Sequence, residues 1–302
     1  MSDLYNSCFL CPRRCGADRR ISRGFCGESD QIRICRAALH MWEEPCISGS
    51  EGSGTVFFTG CQLRCIFCQN SDIALSHAGL EISEERLIDI FFELAAQGAN
   101  NINLVTPSHF TPTVISAIDR AKSRGFTLPF VWNSSGYESI ETLELLRGRI
   151  DIFLPDFKYF SRDLANSFSR APDYFEKASL AVKKMLDIVG EGEFDDRGIM
   201  KKGVIVRHLV LPAHTDDSMK VIKYLFDTFG HSIYVSIMNQ YTPMPSVSAY
   251  KDLSRRLTTY EYEKVVNFAA DLGIKNGFIQ SRGTARDSFI PAFDYTGVLK
   301  SI

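Results

Sequence analysis

From Thr55 onward, short and mostly apolar runs alternate with longer segments in which apolar residues recur every third or fourth position. No other feature narrows the possible folds so far. The runs are Thr55–Phe58, Ile102–Val105, Pro129–Trp132, Asp151–Leu154, Val204–Leu211 and Ile233–Met238, with a weaker one at Gly277–Gln280. Each lacks the polar alternation of a half-exposed strand, as expected when both faces are covered. Strands of this kind separated by helices read as βαβ units and a parallel sheet.

The helical segments carry their own punctuation. Ser83 is placed to cap a helix whose stripe is Leu87, Ile90, Phe91 and Leu94, with Gly98 just past its end. Thr111-Pro112 reads as a cap followed by proline at the first helical position, and Gly125 as the stop. Stripes at Phe175–Val189 and Met219–Phe229 follow, and Thr258 with Glu261 matches a capping box. These stripes are read as helix faces packed on a sheet, with no functional role. The polar, glycine-rich stretch Gly190–Gly198 reads as an exposed loop.

Composition excludes several classes. A chain of 302 residues, 45% hydrophobic and 23% charged, matches a soluble globular protein. Its formal charge of −2 implies no broad attraction to nucleic acid or to an anionic membrane. No apolar run approaches the roughly 18 residues of a membrane span, and the first ten residues do not read as a secretory signal. All nine cysteines lie within the first 68 residues. That crowding points to a metal-rich front end in a reducing cytoplasm rather than to scattered disulfides.

The chemistry concentrates in Phe58–Asn70. Cys61, Cys65 and Cys68 form a C-x3-C-x2-C run with no fourth cysteine at a matching distance. Three thiolates can hold three corners of a cubane 4Fe–4S cluster and leave one iron open. A zinc site would more often pair C-x2-C units or include histidine. With Phe67 as the aromatic, C-x3-C-x-aromatic-C resembles the signature of the radical S-adenosylmethionine enzymes. The resemblance implies that the open iron chelates S-adenosylmethionine. An electron from the cluster then splits it to methionine and a 5′-deoxyadenosyl radical, which takes hydrogen from a substrate. It also implies a partial (β/α)6 barrel, part of a TIM-like barrel, in an α/β fold.

Residues 55 to about 245 look like the pyruvate formate-lyase-activating-enzyme branch of that family. On this likeness residues 1–54 form a small cysteine-rich appendage, 55–245 the barrel core, and 246–302 an extension packed on it. Thr106-Pro107-Ser108 stands where the branch has Gly-Gly-Glu for the cofactor's amino group. The acid is missing, so Ser108 and main-chain carbonyls of Thr106 and its neighbours would serve. Asn133-Ser-Ser135-Gly matches an Asp-Thr-Asn-Gly segment near the ribose. Asp156-Phe-Lys158 matches Asp-Leu-Lys, the aspartate on the ribose hydroxyls and the lysine on the methionine carboxylate. Phe67 backs the adenine through its main chain, and Gln240 or Tyr241 falls where activases have a histidine. Arg207 and His208 point to opposite faces of one strand, so at most one faces the interior, where an arginine could grip a carboxylate. His109 and His214 are loop histidines open to a packing or a substrate role. The resemblance further implies a flavodoxin- or ferredoxin-type electron donor and a glycyl radical enzyme as a candidate protein substrate.

Cys8, Cys11, Cys15 and Cys26 make a C-x2-C-x3-C-x10-C set on an arginine-rich segment. Four thiolates suit zinc or an auxiliary iron–sulfur cluster, and a segment with so little apolar content would gain order from it. Cys35 and Cys46 read as small buried residues. The competing reading of the whole chain is an iron–sulfur electron carrier or metal-binding protein without S-adenosylmethionine turnover.

Overall fold

The computed structural model describes residues 2–75, 78–280 and 291–300. Its strands are β1 (Arg33–His40), β2 (Ser53–Phe58), β3 (Leu80–Glu81), β4 (Ile102–Val105), β5 (Phe130–Ser134), β6 (Ile152–Pro155), β7 (Glu193–Phe194), β8 (Met200–Leu209), β9 (Tyr234–Met238) and β10 (Gly277–Ile279). The helices are α1 (Pro45–Ser48), α2 (Ser71–Ala74), α3 (Glu84–Ala96), α4 (Thr111–Ser123), α5 (Ile140–Glu144), α6 (Arg162–Ser169), α7 (Tyr174–Val189), α8 (Thr215–Phe229) and α9 (Thr259–Asp271).

Strands β2, β4, β5, β6, β8, β9 and β10 lie side by side in that order, every neighbouring pair parallel. These are the seven apolar runs of the sequence, with ends displaced by a few residues. Each crossover passes through at least one helix, which makes six βα units and a closing strand. Side chains alternate across the sheet as a strand requires. Trp132, Phe153, Val204 and Val206 join the large cluster formed with the helices. Val131, Ile152, Leu154 and Ile205 face the other way, where they pack with Cys46 and Ile47 of α1. Cys46 and Ile47 thus cover this inner face of the sheet. Asn101 Nδ2 donates to Ile47 O and Asn100 Nδ2 to Ser48 O, both at 2.8 Å, which satisfies carbonyls that would otherwise be buried without partners.

Caps largely follow the residues. Ser83 Oγ accepts from Arg86 N, and Thr258 with Glu261 completes both halves of a capping box. Thr111 is a correction: it is the first helical residue of α4, and its hydroxyl turns back to donate to Ser108 O at 2.7 Å. The loop at 190–198 contains the short exposed strand β7, paired with β8.

The sheet does not stop at residue 55. Strand β1 lies antiparallel on β2 with Ala37 opposite Val56, and β3 pairs with β1. Strand β1, which lies ahead of residue 55, therefore continues the same sheet. Arg33-Ile-Cys-Arg-Ala-Ala-Leu-His40 escapes notice because two arginines and two alanines dilute any strand signal. At the other end β10 extends the sheet, and Ala37 N donates to Thr296 O at 2.8 Å. Among the described residues no helix is long and apolar enough to cross a membrane.

Candidate active site

Parallel strands deliver their following loops to one rim, so the residues at their C-terminal ends meet. Here they enclose a cavity of about 260 Å³. Cys61, Cys65, Cys68, Phe67, Thr106, Asn133, Ser135, Asp156, Lys158, Arg207 and Gln240 all line it. Of the residues singled out as cofactor contacts, Ser108 is outside this lining. It is wholly buried, and its Oγ donates to Glu138 Oε1 at 2.5 Å. Thr106 holds φ at +59°, a left-handed conformation that costs a non-glycine residue roughly 1–3 kcal/mol and clusters at ligand sites. Gly136 is needed where the β5 and β6 loops meet, since a Cβ there would lie 2.1 Å from Asp156 O.

The three thiols sit on the loop after β2, none of them in a disulfide. Leu63 N donates to Cys61 Sγ at 3.4 Å and Ser169 Oγ to Cys65 Sγ at 2.9 Å. The loop is anchored by Ile66 N on Phe168 O and by the Phe67 ring against Tyr159, Phe168 and Tyr241. Burial and the neighbouring Cys65 thiol push Cys68 up to about 12. Among the described residues no three His, Cys, Asp or Glu side chains close on a single ion. A polynuclear cluster, whose iron atoms fill the space between the sulfurs, fits such a donor set, and hydrogen bonds to two of the sulfurs are already in place.

Behind the thiols runs a chain of charges. Lys158 Nζ lies 2.6 Å from Asp156 Oδ2, and Arg207 Nε donates to Asp156 Oδ1 at 3.3 Å. Arg207 also reaches Glu43 Oε2 at 3.1 Å and Asn133 Oδ1 at 2.5 Å. Asn103 Nδ2 donates to the other Glu43 oxygen at 2.8 Å. Burial opposes the charge on Asp156, but Lys158 and Arg207 outweigh it and hold the carboxyl below its ordinary value. Burial likewise opposes the Lys158 ammonium, and Asp156 outweighs it. Arg207 therefore faces the interior. His208 faces the helices, where its Nδ1–H donates to Phe157 O at 2.7 Å.

Glu43 was not among the sequence candidates. The only cue was its position in Glu43-Glu44-Pro45 ahead of α1, which does not tell a buried acid from a solvated one. Glu138 was missed for the same reason. It is 1% exposed, Gln62 Nε2 donates to it at 3.3 Å, and its Oε2 has no partner among the described residues. Burial raises its carboxyl to about 7, against the hydrogen bonds that favour the anion. A raised carboxyl binds a proton in the folded chain that the unfolded chain has lost. Stability therefore falls between about pH 4.5 and 7, by an amount on the order of 3 kcal/mol, and levels off above. In thermal melts across pH 5 to 8 Glu138→Gln is expected to lose this slope and to exceed the parent chain at pH 8. Parallel curves for the two would refute the assignment.

His109, His214 and Tyr241 are engaged in ring packing and main-chain hydrogen bonds. His109 is held neutral by burial, down to about 3, and its Nε2–H donates to Thr59 O at 2.6 Å. His214 packs its ring on Phe168. Tyr241 OH donates to Leu253 O at 2.6 Å, whereas Gln240 faces the cavity. Gln69 Nε2 donates to the Gln240 carbonyl at 2.6 Å.

A half-barrel that gathers three thiols, a lysine and an aspartate around one cavity is built to seat a metal cluster and a small polar cofactor side by side. The Radical SAM superfamily matches residues 55–226, more than half of the chain, and the chain belongs to that superfamily. Its members carry a 4Fe–4S cluster and use it to cleave S-adenosylmethionine reductively. An uncharacterized protein of Methanocaldococcus jannaschii is 29% identical over 274 residues, covering 88% of this chain and 75% of that protein. Two solved structures are similar in fold. The FeFe-hydrogenase maturase HydG of Carboxydothermus hydrogenoformans has a TM-score of 0.52 at 13% identity, with 78% of this chain and 55% of that one covered. SuiB of Streptococcus suis, bound to its precursor peptide SuiA, has a TM-score of 0.50 at 10% identity, with 74% and 47% covered. This chain thus spans about half the length of those two proteins, and the likeness is one of fold.

Proposed function

We propose that the cavity seats S-adenosylmethionine against a cluster on Cys61, Cys65 and Cys68, and that the resulting radical takes a hydrogen atom from a substrate at the cavity mouth. The observation that carries this reading is the shared lining: the three thiols and eight of the residues matched to cofactor contacts face one space. When bound, the cluster supplies the electron that breaks the sulfonium bond. The protein's part is to bind and to orient. Lys158 would take the methionine carboxylate and Asp156 the ribose diol, both charge-assisted contacts. Arg207 keeps Asp156 ionised and aimed. With the cofactor seated in the cavity, a substrate has to offer its reacting carbon at the mouth. A backbone glycine on a loop of a glycyl radical enzyme meets that demand, and a flavodoxin- or ferredoxin-type protein in the cytoplasm would deliver the electron.

Lys158→Met tests the orientation. Asp156 keeps its bond to Arg207 in this variant, so the fold is expected to hold. A charge-assisted contact is worth about 1.5–3 kcal/mol. The concentration of S-adenosylmethionine giving half-maximal 5′-deoxyadenosine formation should therefore rise on the order of 10- to 100-fold. An unchanged value would remove Lys158 from the cofactor site.

A further inference from the structure

Residues 2–30 fold back behind the cysteine loop with little regular structure. Cys8, Cys11 and Cys26 are buried there, and Cys15 sits on an exposed turn. Cys8 N donates to Ala17 O and Gly16 N to Cys8 O, both at 3.0 Å, which closes residues 8–17 into a loop. The Cys8 and Cys15 thiols lie close enough to influence each other. A Cβ at Gly24 would lie 3.4 Å from Cys26 Sγ and 3.5 Å from Cys15 Sγ, so those sulfurs face a common point.

Arg19 supplies an independent observation. Its side chain is wholly buried, and its Nε donates to Glu28 O at 3.2 Å. Its terminal nitrogens donate to His109 O and Ser29 O, and the guanidinium lies over the Tyr5 and Phe110 rings. Carbonyls and rings satisfy its N–H groups but bring no negative charge, and a buried cation needs one. The Glu28 carboxylate is already held by Arg33 at 3.3 Å and by the Thr59 hydroxyl at 2.7 Å. The same point beside Gly24 lies 3.5 Å from Arg19 Cδ, which sets the arginine stem against the thiols.

We propose that Cys8, Cys11, Cys15 and Cys26 are the ligands of a second thiolate-bound metal centre, whose negative charge balances Arg19. Four thiolates around zinc or around a 4Fe–4S cluster leave a net anion in either case. The sulfurs are grouped without closing on one ion, and metal binding and ordering of such a segment are coupled. The centre would stand directly behind the catalytic loop. Cys61 N donates to Cys26 O at 3.2 Å, Arg13 Nε to Gln62 O at 2.8 Å, and an Arg64 nitrogen to Phe25 O at 2.8 Å. It therefore braces the loop carrying Cys61, Cys65 and Cys68, a role that rests on the functional reading above, whereas the metal itself does not.

The test is metal analysis of the full chain purified without oxygen. Beyond the four iron atoms of the catalytic cluster, about four further iron atoms or one zinc ion are expected per chain. Cys11→Ala should lose that extra metal, while Cys61→Ala and Cys35→Ala keep it. Cys15→Ala, at the exposed turn, serves if Cys11→Ala does not fold. Extra iron identifies a cluster and extra zinc a single ion. No metal beyond four iron atoms, or extra metal that survives Cys11→Ala and Cys15→Ala, would overturn the proposal. A chain that holds the extra metal yet cleaves no S-adenosylmethionine would count against the functional reading alone.

Discussion

Arg207→Met is expected to destabilise the folded chain by roughly 3–5 kcal/mol, the cost of removing one partner from a buried ionic group. Methionine fills similar space, so the loss is electrostatic rather than a cavity effect. The guanidinium is the link between Glu43 and Asp156, and its side chain is only 15% exposed. Without it Glu43 keeps a single donor, Asn103, and Asp156 keeps Lys158. In a chain of this size the corresponding fall in melting temperature is on the order of 10 °C. Adding Glu43→Gln to Arg207→Met should recover part of it, because the stranded charge is then gone. If the two substitutions instead lower stability additively, the residues do not form one network.

The parallel sheet was legible because its strands are covered on both faces and therefore nearly uniform in character. Ile102–Val105 needs no context to read as a strand. Arg33–His40 does: its pairing with β2 is a tertiary event, and nothing local in Arg-Ile-Cys-Arg-Ala-Ala-Leu-His requires it. The site divides in the same way. Asp156, Lys158 and Asn133 were readable because they directly follow or end apolar runs, which puts them on the rim of any parallel sheet. Glu43 enters the barrel interior from the loop after an unrecognised strand, and Glu138 turns inward to meet Ser108 and Gln62. A carboxylate is usually solvated, so only three-dimensional contacts reveal that these two are not. Ser108, matched by motif to a cofactor contact, lies outside the cavity lining with its hydroxyl donating to Glu138.

The largest effect on chemistry is expected from the cysteine loop. Cys61→Ala removes one of three thiols that line the cavity, and a cluster already one ligand short of closure cannot spare another. The variant should lose the four iron atoms of that site and at least 1000-fold in cofactor cleavage, which corresponds to about 4 kcal/mol or more. Folding should survive, since Cys61 is only partly buried and its hydrogen bond to Cys26 uses the main chain.

The decisive measurement follows from that comparison. The chain is reconstituted with iron and sulfide without oxygen, reduced with dithionite, and supplied with S-adenosylmethionine, and 5′-deoxyadenosine is quantified against the Cys61→Ala variant. The account predicts steady formation of 5′-deoxyadenosine and methionine by the parent chain and none above background by the variant. An intact, reducible cluster that yields no 5′-deoxyadenosine, or equal yields from both chains, would contradict it.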